Sequence, residues 1–206
     1  MPAYPPALVY RRDVDSRDGW VVVVPLKPAA QGKSRLGAPA GVVRALGVAT
    51  VRAASRAAGV RAVVVVTADP VTAAELKRMP RVRVVREVAP RGFRAAIASA
   101  LATVPPGAPR AVLLGDLPAL APADLARALA LAAAHPRAFV ADAAGTGTTL
   151  VTAAAGLRWR SAFGKASASR HRALGLRRLA VPLRSSVRHD VDTPAQLARS
   201  TAAATS

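Results

Sequence analysis

Three acids and three cations carry most of the chemistry legible in this chain: Asp116, Asp190 and Asp192, and Lys27, Lys33 and Arg35. Asp116 follows the apolar run 111–114 and precedes Leu117-Pro118. It should therefore project from a strand end beside buried residues, where a lone carboxylate is expensive and a cation is wanted. Two roles fit it, a Mg²⁺ ligand or the N-cap of a short turn before a helix at Pro122. In His189-Asp190-Val191-Asp192-Thr193-Pro194, an extended backbone points Asp190 and Asp192 to one face and Val191 to the other. That face offers two hard oxygen donors of the kind Mg²⁺ prefers. The plainer alternative is that Asp192 or Thr193 caps a helix starting at Pro194.

The cations lie just after a β-branched run. Trp20-Val21-Val22-Val23-Val24-Pro25 reads as a buried strand, and the loop behind it brings Lys27, Lys33 and Arg35 past the small residues Ala29, Ala30 and Gly32. Gly32-Lys33-Ser34 falls short of a P-loop, because the required glycine five residues earlier is Lys27. Two readings remain: a looser cradle for the phosphates of a nucleoside triphosphate, with cations and backbone amides facing the charge, or an ordinary basic loop.

Weaker signals follow. Gly145-Thr146-Gly147-Thr148-Thr149 reads as a turn with hydroxyls and free amides suited to a small anion, or as a bare turn between strands. The segment from Phe163 to His171 offers amides and hydroxyls where a helix begins. His135, His171 and His189 have no metal-pair spacing and read as surface or capping residues, and there is no Gly-x-Ser-x-Gly elbow. A shortage of general bases suits a reaction whose nucleophile is a phosphate oxygen, ionised already near neutral pH. Phosphoryl or nucleotidyl transfer of that kind needs positioning, cations and metal more than a base.

The elements that must hold these residues alternate. Strands are expected at residues 21–24, 62–67, 82–85 and 111–114, with later ones at 138–141, 149–153 and 178–181. Helices are expected at 42–58, with Val42, Val43, Leu46, Ala49, Ala53 and Ala57 on one face, then at 71–79 behind an Asp69 or Thr72 cap, 93–104 and 122–135. This is the pattern of an α/β three-layer sandwich with a mostly parallel, mixed sheet, which binds ligands beyond the carboxyl ends of its strands. Residues 1–19 read as a flexible N-terminal arm, 20–200 as one domain and 201–206 as a tail.

Composition narrows the partners. In 206 residues, 30 Lys plus Arg against 11 Asp plus Glu give a formal charge of +19, which favours an acidic partner. An aromatic content of 3 % leaves few stacking platforms, which argues against nucleic acid. The absence of cysteine excludes disulfides, thiolate metal sites and cysteine nucleophiles. No apolar run is long enough for a bilayer span, and the N-terminal stretch lacks a signal-peptide core, so a cytoplasmic protein is expected.

Taken together and in order, several segments resemble the CofC/FbiD guanylyltransferases. They are Val23-Val24-Pro25-Leu26-Lys27-Pro28, Gly32-Lys33-Ser34-Arg35-Leu36, Gly115-Asp116-Leu117-Pro118, Phe139-Val140-Ala141-Asp142 with Gly145-Thr146-Gly147-Thr148, Phe163-Gly164, Ser169-Arg170-His171-Arg172 and Asp190-Val191-Asp192-Thr193-Pro194. The resemblance implies a nucleotide-diphospho-sugar transferase-like fold. It also implies transfer of GMP from GTP to phosphoenolpyruvate or 2-phospho-L-lactate, with release of pyrophosphate, in coenzyme F(420) biosynthesis, followed by hand-over to the next enzyme of the pathway. It places Thr148, Gly164 and Ser167 at the phospho-acid, Asp116, Asp190 and Asp192 at Mg²⁺, and Lys27, Lys33 and Arg35 at the GTP phosphates. The chain departs from the family's usual pattern at Phe93-Arg94 and at Gly164-Lys165-Ala166-Ser167, where Ser169 competes with Ser167 for the same role. Two other classes remain: a related nucleotidyltransferase, such as a molybdopterin guanylyltransferase, and a basic nucleic-acid-binding protein.

Overall fold

The strongest valine run takes the centre of the sheet. The computed structural model describes residues 19–26, 37–87, 92–191 and 196, and within them β1 (Trp20–Pro25) is buried along its whole length. A strand covered on both faces needs apolar side chains at every position, which is why the run does not alternate. Val22 and Val24 pack on one face of the sheet, and Val21 and Val23 on the other.

The remaining elements follow in the expected order: α1 (Ala40–Arg56), β2 (Val60–Thr67), α2 (Pro70–Leu76), β3 (Val82–Arg86), α3 (Phe93–Leu101), β4 (Arg110–Leu113), α4 (Pro122–Ala132), β5 (Arg137–Ala141), β6 (Thr148–Ala153), α5 (Ser167–Ala173), β7 (Arg177–Arg178) and a 3₁₀ turn, Ser186–Arg188. They form a seven-stranded sheet ordered β3-β2-β1-β4-β6-β5-β7. Strands β3, β2, β1 and β4 are parallel, β6 runs antiparallel to both β4 and β5, and β7 is parallel to β5.

Helices cover both faces. Val48, Val51 and Ala54 of α1, Leu76 of α2 and Leu125 and Leu129 of α4 lie on the Val22 face. Ile97, Ala100 and Leu101 of α3 and Ala168 of α5 lie on the Val21 face, with Phe139 between them. Each fully buried valine or leucine stabilises the fold by about 1.5–3 kcal/mol relative to exposure. This is the three-layer α/β sandwich with a mixed, mainly parallel sheet that the pattern predicts.

Two details differ from that expectation, and one open choice is resolved. The buried face of α1 is Leu46, Gly47, Val48, Thr50, Val51, Ala54 and Ser55, while Val42 is exposed. The helix is turned because Gly47 admits the Leu26 side chain and Thr50 faces the turn after β4. The seventh strand covers two residues rather than 178–181. Its ladder ends with Leu179 N–H donating to the Phe139 carbonyl, and the Val181 carbonyl accepts instead from Arg188 Nη1 at 3.1 Å. Helix α2 begins under Asp69, whose carboxylate accepts from the Val71 amide at 3.0 Å and the Thr72 hydroxyl at 3.0 Å; Asp69, and not Thr72, is the cap. Of the predicted arm 1–19 all but Gly19 lies outside the described residues, as do the tail 201–206 and, apart from the helical Gln196, the helix expected from Thr193-Pro194.

Candidate active site at one end of the sheet

Strand direction brings the candidate residues to one edge. Val23 of β1 pairs with Val112 of β4, so Pro25 and Leu26 leave the sheet level with Leu114 and Gly115. Because β6 is antiparallel to β4, with Leu113 opposite Leu150, β6 begins at Thr148 where β4 ends. Strand β5 also ends here, at Ala141. The carboxyl ends of three strands and the start of a fourth meet, as the binding rule for open α/β sheets requires.

Asp116 sits on the turn after β4, half-buried, and three contacts fix that turn. Thr50 of α1 accepts a hydrogen bond from the Leu117 amide at 3.1 Å, with its own hydroxyl directed to the Leu46 carbonyl at 3.0 Å or the Gly115 carbonyl at 3.3 Å. Leu26 occupies space that any side chain at Gly115 would take, and a Cβ there would also lie 3.1 Å from the Pro25 carbonyl oxygen. The Val191 amide donates to the Asp116 carbonyl at 2.9 Å. That last bond brings the segment of Asp190, a residue far away in sequence, alongside Asp116.

Asp116 and Asp190 are both half-buried residues carrying hard oxygen donors, with Asp116 Oδ1 itself buried, a donor set that fits a small divalent cation keeping waters and phosphate oxygens in its coordination sphere. Among the described residues no cluster of three His, Asp or Glu side chains stands at metal-binding distance, and Asp192, the third predicted acid, lies outside them. Lys27, Lys33 and Arg35 lie outside them too.

The other half of the edge is built around hydroxyls and a buried imidazole. Between β5 and β6 the register slips: Val140 faces Leu150, but Ala141 faces Thr148, which leaves Thr149 as an extra residue. A bulge of this kind shifts the two-residue period, so Thr148 turns away from the Leu150 face toward the α5 side. There Thr148 Oγ1 lies 3.0 Å from His171 Nδ1. The Ala162 amide donates to His171 Nε2 at 2.8 Å, and Phe163 and Phe139 pack their rings against the imidazole at centroid distances of 5.2 and 5.5 Å.

Ser167 opens α5 one turn before His171 and is 2 % exposed, and the Ala168 amide donates to the Thr146 carbonyl at 3.0 Å. Gly164 has φ +116°, a region that other residues rarely adopt, and a Cβ there would lie 3.0 Å from Arg170 Nη2, which donates to the Phe163 carbonyl. Thr148, Gly164 and Ser167 are thus linked through α5 and the strand that carries them. Ser169, the competing serine, is exposed and its hydroxyl donates to the Ala166 carbonyl at 2.9 Å.

Two expectations are corrected. The turn 142–147 does not offer free amides: Asp142 accepts from the Thr146 amide at 3.0 Å and the Gly147 amide at 2.8 Å, and its carbonyl accepts from the Gly145 amide. Gly147 is needed because a Cβ there would collide with the Asp142 carboxylate. His171 is not a surface or capping residue but fully buried, since both ring nitrogens find partners inside. Spacing carried a faint signal for it: Ser167 and His171 are four apart on one helical face, between outward-facing Ser169 and Arg172. Thr50 was also missed. A hydroxyl set in an otherwise apolar helical face was its only trace in the sequence.

The two halves are tied by Arg188, whose Nε and Nη2 donate to the Asp142 carbonyl at 3.2 and 2.7 Å. One side of the edge therefore carries the carboxylates of Asp116 and Asp190, and the other carries the Thr148 hydroxyl against a buried imidazole. That division suits a reaction between a metal-bound polyphosphate and a second small anion.

Residues 40–186 match the model of the MobA-like NTP transferase domain. The chain is 46 % identical over 191 residues to a phosphoenolpyruvate guanylyltransferase of Thermomonospora curvata, covering 89 % of this chain and 83 % of the relative. A nucleotidyl transferase from Methanothermobacter superposes with TM-score 0.59 at 20 % identity, covering 88 % of this chain and 95 % of the other. A Mycobacterium tuberculosis protein solved as a complex with manganese superposes with TM-score 0.55 at 21 % identity, covering 88 % and 97 %. The fold is that of the nucleotide-diphospho-sugar transferases, and the chain belongs to the phosphoenolpyruvate guanylyltransferase family.

Proposed function

We propose that this protein transfers GMP from GTP to phosphoenolpyruvate and releases pyrophosphate. The observation that carries the reading is the 46 % identity to a phosphoenolpyruvate guanylyltransferase across nearly the whole chain. The arrangement of the site supports it, with acids at the end of β4 and hydroxyls at the start of β6. A phosphate oxygen of phosphoenolpyruvate attacks the α-phosphorus of GTP in line. The new P–O bond forms as the bond from the α-phosphorus to the bridging oxygen breaks, and the electron pair leaves with pyrophosphate. No proton needs to move, which agrees with a site poor in general bases.

Asp116, Asp190 and Asp192 would hold Mg²⁺, the metal we assign to the acid side. When bound, it would neutralise phosphate charge and polarise the α-phosphoryl group. Lys27, Lys33 and Arg35 would take the remaining charge of the triphosphate. Thr148, Gly164 and Ser167 would grip the phospho-acid and fix its angle of attack. The product would be an activated diphosphate, a phosphoric anhydride joining GMP to the phospho-acid, for coenzyme F(420) biosynthesis, made in the cytoplasm and handed to the next enzyme of the pathway. No helix of the described residues is long and apolar enough to cross a membrane.

The test is pyrophosphate release. The protein is mixed with Mg²⁺, one of GTP, CTP or ATP, and phosphoenolpyruvate or 2-phospho-L-lactate, with the next enzyme present to trap the labile product. Release with GTP and phosphoenolpyruvate is expected. Release only with CTP or ATP would overturn the base assignment, and a preference for 2-phospho-L-lactate would overturn the acceptor.

A further inference from the structure

His171 is the most deeply buried ionisable side chain on the acceptor side, and the reaction as written gives it no task. Its hydrogen bonds determine where its proton lies. A backbone amide can only donate, so the bond from the Ala162 N–H requires Nε2 to be an unprotonated acceptor. In a neutral ring the proton is then on Nδ1, which faces Thr148 Oγ1 at 3.0 Å. The ring is neutral, because burial, with the nearby Arg170 guanidinium, pulls its pKa down to about 4, against a smaller opposing pull from the Ser167 carbonyl.

With Nδ1–H donating, the Thr148 oxygen is committed as an acceptor on that side. Its own hydrogen must point away from Nδ1, so the hydroxyl keeps its donor for another partner. A threonine whose partner were a carbonyl would have the opposite polarity: its proton would be spent on the protein and only lone pairs would face a ligand.

We propose that His171 is a positioning residue that holds the Thr148 hydroxyl as an outward-directed hydrogen-bond donor for an anionic oxygen of the acceptor phospho-acid. This rests on the assignment of Thr148 to the acceptor made above. The bulge at Thr149 and the imidazole act together, the bulge turning Thr148 toward α5 and His171 setting which way its proton points. Phe139 and Phe163 hold the ring against rotation, and Phe93 packs edge-on against Phe163 at 5.5 Å.

The experiment is a double-mutant cycle read as KM for phosphoenolpyruvate, KM for GTP and kcat. Thr148→Val and His171→Phe should each raise KM for phosphoenolpyruvate by about tenfold, the cost of one lost hydrogen bond to a charged group, while leaving KM for GTP unchanged. The double variant should be no worse than Thr148→Val alone, because the imidazole acts only through the hydroxyl. His171→Asn, which keeps an N–H where Nδ1 stood, should recover part of the loss.

Wild-type KM in both His171 variants, or losses that multiply in the double variant, would overturn the proposal while leaving Thr148 at the acceptor. An unchanged KM in Thr148→Val would instead remove Thr148 from the acceptor site, and the proposal with it. If His171→Phe does not fold, the wild-type protein answers. Nitrogen NMR of the ring near neutral pH should show a protonated Nδ1 and a bare Nε2, and the reverse tautomer or a doubly protonated ring would overturn the proposal.

Discussion

The two halves of the sheet edge solve opposite electrostatic problems. At the end of β4, Asp116 stays half-exposed and is positioned through its backbone, by the Val191 amide and by the Thr50 hydroxyl beneath its turn. At the start of β6, Thr148 is 3 % exposed and is positioned through its side chain, by an imidazole that is itself buried. A carboxylate that must meet a cation cannot be sealed away without losing several kcal/mol of hydration. A neutral hydroxyl can be nearly buried at far lower cost, with a protein partner on one side and its remaining hydrogen-bonding capacity kept for a ligand. The acid side therefore leaves charges accessible and braces the chain behind them, whereas the hydroxyl side is built like a core.

Substitutions test this contrast most sharply where charge is removed. Asp116→Asn should lower metal-dependent turnover by at least about 100-fold with the fold intact, seen as near-normal circular dichroism and melting temperature. Normal activity would reduce Asp116 to a cap. Thr50→Val should next cost about 1–3 kcal/mol in denaturant unfolding, because it strands the buried Leu117 amide, and should lower kcat along with it. If only stability falls, bracing and metal placement are separate tasks.

On the hydroxyl side, Ser167→Ala should raise KM for phosphoenolpyruvate by about fivefold, and Ser169→Ala should not change it. The opposite outcome would assign the phospho-acid to Ser169. The smallest effect is expected at Asp124, whose carboxylate clips the turn leading to Asp190 by accepting from the Ser186 amide and hydroxyl, both at 2.8 Å. Burial pushes its pKa up, but the amide and hydroxyl of Ser186 and the hydroxyl of Ser185 outweigh this, so the folded pKa lies below the ordinary 3.8. Its contribution is full above the unfolded value and is lost as pH falls through the folded one. Asp124→Asn should flatten the stability profile below about pH 4 by under about 1 kcal/mol, measured by urea unfolding across that range.

Much of the acid side was legible because it uses residue types that have few other reasons to stand at strand ends. The run 111–114 followed by Gly115-Asp116 announces a strand delivering a carboxylate, and the structure places it so. That Asp190 would lie beside Asp116 needed the Val191 bond, since nothing local in the sequence joins residues so far apart. The hydroxyl side was hidden. Thr148 stands among alternating small residues, and its turn toward α5 depends on a one-residue bulge that no local pattern marks.

By itself, then, the sequence determined the alternation of strands and helices, the central place of the valine run and the strand-end position of Asp116. These follow from local periodicity and from the cost of burying charge, which act residue by residue. Only the tertiary structure decided the strand order, the rotation of α1 around Thr50 and the pairing of Thr148 with His171. Each of those depends on which distant groups satisfy one another inside the fold, and a buried imidazole reads like any surface histidine until its two partners are in place.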